Sequence, residues 1–71
     1  MSEQYTITNR RRNIEELLQL IKDGEKDKDR LVSRFCLRKG LAEKTVYAYL
    51  DLLIKSGKVY LSNEELKSNE N

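Results

Sequence analysis

The stretch from Leu31 to Leu50 constrains this chain more than any other, because a lone glycine, Gly40, divides two short apolar-periodic segments. Glycine adopts the left-handed backbone that ends one helix and redirects the chain into the next at no steric cost. Cys36, a small residue four places earlier, and the apolar Phe35, Leu41, Val46 and Tyr49 provide surfaces on which two helices can cross closely. The centre of the chain therefore predicts two helices hinged at Gly40. The remaining residues must complete a core around that pair.

A first helix precedes them. Ile14, Leu17, Leu18 and Ile21 fall at i, i+3, i+4 and i+7, the spacing of one buried stripe. Asn13 with Glu16 forms a capping pair at its start, or Asn9 starts it a turn earlier and brings Arg10, Arg11 and Arg12 onto the helix. Gly24 stops it. Ahead of it, Tyr5-Thr6-Ile7-Thr8 alternates like a short strand. After it, Glu25 to Asp29 alternates in sign and reads as a solvated connection, with Asp27 or Asp29 capping helix two. Helix two runs to about Lys39 with Leu31, Val32 and Phe35 inward, and Arg30, Arg34 and Arg38 aligned on another face. Helix three runs from about Glu43 to Ser56, with Val46, Tyr49, Leu50 and Leu53 inward and Gly57 as its stop. Lys58-Val59-Tyr60-Leu61 reads as a short strand. Ser62-Asn63-Glu64-Glu65 fits either a capping box opening a last helical turn or the turn of a hairpin returning through Glu65 to Ser68. The expected domain spans residues 1–66, followed by a disordered tail over 67–71.

Several classes of function are disfavoured. At 71 residues the chain holds one domain and buries only about 60% of its unfolded surface. One cysteine and no histidine leave no internal disulfide, no zinc cluster and no nucleophile–base pair. Gly24, Gly40 and Gly57 each stand alone as helix punctuation, so no phosphate loop is present, and an enzyme is not expected. No cofactor or small-molecule ligand is expected either. Apolar runs are short and no signal-like segment opens the chain, which predicts a soluble, cytoplasmic protein without a membrane partner. The net charge is only +2, yet Lys28 to Lys58 carries eight basic residues against three acidic ones, an excess of +5. That excess suits a polyanion.

With its caps and glycine stops in place, the run from Leu41 to Val59 (LAEKTVYAYLDLLIKSGKV) resembles the recognition helix, stop and first wing strand of the winged helix-turn-helix family of transcription factors. The likeness is greatest to small archaeal DNA-binding proteins of chromosomal, plasmid or viral origin, and it spans about residues 14 to 61. Phe35, Leu41, Val46 and Tyr49 fill four of the five apolar positions usual for the motif, and Lys39 occupies the fifth. Ala42 stands where the family often has a Ser or Thr cap. A strand before a helix is also a feature of ribbon-helix-helix repressors, but a strong third helix argues against them. The resemblance implies a mainly α fold, a three-helix helix-turn-helix core with a short or truncated β wing, or with Tyr5 to Thr8 paired with Lys58 to Leu61 in its place.

It also implies a homodimer on double-stranded DNA, nucleoid-associated in a prokaryote, because one short recognition helix reads few base pairs. If the apolar stripe of helix three faces the core, Lys44, Thr45, Tyr47, Ala48 and Asp51 turn toward base edges. Arg30, Arg34, Arg38, Lys39, Lys55, Lys58 and the cluster Arg10, Arg11 and Arg12 are then candidates for phosphates, the last three either on an exposed helix start or as an arm in the minor groove. About five such contacts would give log K against log salt a slope near −4 to −5. The competing expectation is a winged-helix module that binds protein within a transcription or other assembly.

Overall fold

A computed structural model describes residues 3–69, with side chains from residue 9 onward. The order is α1 (Glu3–Lys22), α2 (Lys28–Lys39), α3 (Glu43–Lys55), β1 (Val59–Ser62) and β2 (Glu65–Ser68), so three helices are followed by an antiparallel hairpin. This is the mainly α, helix-turn-helix-plus-wing architecture that the sequence predicts.

Helix α1 is longer than expected. Its backbone takes in Tyr5 to Thr8, which form neither an independent strand nor a partner for β1, and both Asn9 and Asn13 lie inside the helix instead of capping it. Nothing in the chain stops a helix before Gly24, since there is no proline and no earlier glycine. Each further residue then adds a hydrogen bond at little cost, while a β-prone tetrad without a partner strand gains nothing. Arg10, Arg11 and Arg12 accordingly ride on a helix and are not a flexible arm.

The ends of the helices follow the glycines. After α1, the Gly24 N–H donates to the Ile21 carbonyl (3.1 Å) and the Glu25 N–H to that of Leu20 (3.1 Å), with Gly24 at φ 117°. The same paired arrangement closes α3, where Gly57 donates to Ile54 and Lys58 to Leu53, each at 3.1 Å. These bonds satisfy carbonyls that a helix end otherwise leaves open. Asp27 is the cap of α2, its Oδ1 accepting from the Arg30 N–H at 3.2 Å. Ala42 caps α3 with no side-chain bond.

At the second wing position the structure takes the hairpin over the helical turn. Val59 pairs with Ser68, Tyr60 with Lys67, Leu61 with Leu66 and Ser62 with Glu65 across a two-residue turn. Asn63 and Glu64 have φ of 53° and 67°, the positive values that a mirror-image hairpin turn demands. The strand crosses the boundary expected after residue 66, and Asn69 closes its base by donating from its backbone N–H to the Lys58 carbonyl at 2.9 Å. Residues 70–71 of the expected tail lie outside the described residues. The Leu66 N–H donates to the Lys26 carbonyl at 2.8 Å, so β2 is stitched to the α1–α2 connection as well as to β1.

Each element contributes to one core. Leu17 and Ile21 come from α1, Leu31, Val32 and Phe35 from α2, Val46, Tyr49, Leu50 and Leu53 from α3, Val59 from β1 and Leu66 from β2. Val59 and Leu66 are 1% and 2% exposed, so the hairpin is part of the core and not an appendage. Among the described residues no helix is long and apolar enough to cross a membrane.

Candidate functional site

Burying Val46, Tyr49, Leu50 and Leu53 fixes the rotation of α3. At about 100° per residue, the direction opposite that stripe falls on Lys44, Ala48, Asp51 and Lys55, which follow one another at steps of four, three and four. All four are exposed. They make a continuous ridge along three turns of helix. Small Ala48 lies at its centre, where close approach to a partner is easiest.

The other two residues expected to read bases sit on its shoulders. Tyr47 leans toward α2 and its hydroxyl donates to Asp29 Oδ1 at 2.8 Å. That hydrogen bond, then desolvation, then the negative charge of Asp29 and Glu43 hold the phenol above its ordinary value. A tyrosine so engaged ties α3 to the start of α2, and it would have to release Asp29 to bond a base. Thr45 is half-buried on the opposite shoulder, beside Leu52, which is 42% exposed. Leu52 was missing from the sequence-derived site, although the buried stripe at positions 46, 49, 50 and 53 already turns position 52 outward.

The ridge is close to neutral. Asp51 accepts from Lys55 Nζ at 3.0 Å, and Glu43 stands one residue before Lys44. Of its cations, Lys44 has no ion pair among the described residues.

The proposed phosphate-binding residues are dispersed. Lys39 bridges to Glu16 on α1, with Nζ 2.7 Å from Oε2 and 2.9 Å from Oε1. This part-buried ion pair joins α1 to α2. Arg34 pairs with Glu25 at 3.0 Å. On α2, Asp29 marks the edge that faces α3, and Arg34 and Arg38 are rotated from it by about 140° and 180°. The arginine stripe therefore does not flank α3. It borders a groove against α1 lined by Leu20, Leu31, Phe35 and Leu37. Arg30 begins the same stripe. Arg10, Arg11 and Lys58 line a different groove, with Ile14, Leu18 and Leu53, and Arg11 lies 3.6 Å from Glu15. Arg12 is exposed on α1. Only Lys55 shares the ridge with Lys44.

Cys36 packs at the edge of the core where α2 meets α3, and burial followed by the charge of Glu43 raises its thiol above the ordinary value. Among the described residues no group of three or more His, Cys, Asp or Glu is placed to hold a metal ion.

Comparison of the chain with protein-family models, with curated proteins and with solved structures finds no match.

Proposed function

We propose that the protein is a DNA-binding transcription regulator of winged helix-turn-helix type that enters the major groove of double-stranded DNA with α3. The observation that carries the reading is the Lys44, Ala48, Asp51 and Lys55 ridge, a bare helical face held at a fixed rotation by its own buried stripe. A major groove about 12 Å wide admits one α-helix. Lys44 donates to guanine acceptors or to phosphate, and the Ala48 methyl packs on thymine methyls. Asp51 and Lys55 set which base edges are tolerated, while Tyr47 positions α3 through Asp29.

The regulator acts in the cytoplasm by occupancy, and the reading invokes no cofactor, metal or catalytic step. It acts as a homodimer on half-sites about 34 Å apart, since one such helix covers few base pairs. With Lys39 and Arg34 engaged internally and the arginine stripe turned aside, two or three phosphate contacts remain, for a salt slope of about −2 to −3.

The near-neutral charge of the ridge favours one other reading, a winged-helix module that docks on a protein. Titration of random and genomic duplexes at several salt concentrations separates the two. Lys44→Ala should weaken binding and reduce the slope by about 1, and Ala48→Glu should abolish binding while leaving the fold intact. Absence of binding at about 50 mM salt with micromolar protein refutes the DNA reading, because low salt strengthens even two or three phosphate contacts.

A further inference from the structure

The arginine stripe and an exposed leucine lie together on a face that the proposed DNA contact does not use. Leu37 is 87% exposed, the most exposed large hydrophobic residue among the described residues. It borders the groove between α1 and α2 whose floor is Leu20, Leu31 and Phe35, a space of about 440 Å³, and Arg34 and Arg38 stand on the same rim. Arg34 is held by Glu25, whereas Arg38 has no ion pair among the described residues.

We propose that this groove is a second docking surface, and that its occupant is an acidic amphipathic helix of a partner protein. Apolar side chains at i, i+3 or i+4 and i+7 of that helix pack on Leu37 and the accessible part of Leu20, above the buried Leu31 and Phe35, and a flanking carboxylate pairs with Arg38. Two features select that chemistry. The floor is apolar and concave, which a phosphate backbone does not use. The rim carries Glu25, Arg34 and Arg38, and because Glu25 neutralises Arg34 its uncompensated charge is that of Arg38, which a carboxylate on an acidic helix complements.

The surface lies away from α3, so its test is independent of the DNA reading. The probe is a synthetic peptide of about 20 residues, long enough to hold a helix, with leucine at one stripe and glutamate elsewhere, and a control carries lysine for glutamate. Amide shifts in the full chain are followed during titration. The acidic peptide should bind with Kd on the order of 10–100 µM and move Leu20, Leu31, Leu37 and Arg38 but not Lys44 or Ala48. Leu37→Ser and Arg38→Ala, both at exposed positions, should each weaken it at least about fivefold, roughly 1 kcal/mol by RT ln 5. Three outcomes overturn the proposal: no acidic-peptide binding by about 1 mM, equal binding of the lysine control, or a loss of dimer on Leu37→Ser. Displacement of the peptide by duplex DNA, with both effects lost in Arg34→Ala plus Arg38→Ala, would overturn it too and return the stripe to phosphate.

Discussion

Leu66→Ala tests whether the hairpin is part of the core or only attached to it. Leu66 is 2% exposed, while Leu61, its direct cross-strand partner on the same face of the hairpin, is 45% exposed. Truncating a fully buried leucine costs about 2–5 kcal/mol through lost transfer energy and the cavity left behind. Truncating the half-exposed Leu61 should cost less than about 1 kcal/mol, since much of its surface is already wet. A domain of this size rarely holds more than about 3–5 kcal/mol in total. Taking about 4 for the whole and 3 for the loss, Leu66→Ala retains about 1 kcal/mol, which leaves roughly one molecule in six unfolded at 25 °C. Urea melts followed by helical circular dichroism should show the midpoint fall by about 3 M for Leu66→Ala and by less than about 1 M for Leu61→Ala, with m near 1 kcal/mol/M. Equal midpoints for the two variants, with the helices melting as in the parent, would show that the wing frays without the core and refute the reasoning.

Other consequences follow from local geometry. Glu64 sits at φ 67°, where a side chain is strained and glycine is not, so Glu64→Gly should raise stability by about 1 kcal/mol in the same urea melts. Ala42 leaves the start of α3 without a side-chain cap, and Ala42→Ser should add about 0.5–1 kcal/mol, visible as a higher Tm. The Tyr47 phenol is raised above its ordinary value of 10.0 chiefly by its hydrogen bond to Asp29. Its folded value lies above its unfolded one, so the bond's contribution is complete below pH 10 and is lost as pH rises through the raised value. Ultraviolet titration of tyrosinate should show a late component from Tyr47 that moves back toward the ordinary value in Asp29→Asn.

The helices and the core were legible in the sequence because their signals are local and redundant. The stripe of α3, the glycine stops at Gly24, Gly40 and Gly57, and the Asp27 cap each agree with their neighbours, and consistency of that kind specifies a fold. The start of α1 was misread because asparagine favours caps in general, whereas here no competing breaker lies upstream of it. The hairpin stayed open because its turn is Asn-Glu, not the Asn-Gly that advertises a mirror-image turn.

The candidate site was half legible. Periodicity placed Lys44, Ala48 and Asp51 outward. It could not show that Tyr47 would find Asp29, because that contact joins residues 18 apart through the packing of two helices. It also could not show on which side of α2 the arginines would stand, since the i+4 spacing aligns them with each other and not with α3. The same limit hid the clamp between Lys39 and Glu16, 23 residues apart.

The central claim is that the Lys44 to Lys55 ridge is the surface that meets DNA. Its most direct measurement is a map of amide shifts in the full chain on adding a duplex of about 20 base pairs, two helical turns, at about 50 mM salt. The largest shifts are expected at Lys44, Ala48, Asp51 and Lys55, fading as salt rises. Saturating shifts confined to Leu37, Arg38 and the α1–α2 groove, or no shifts at all, would contradict it.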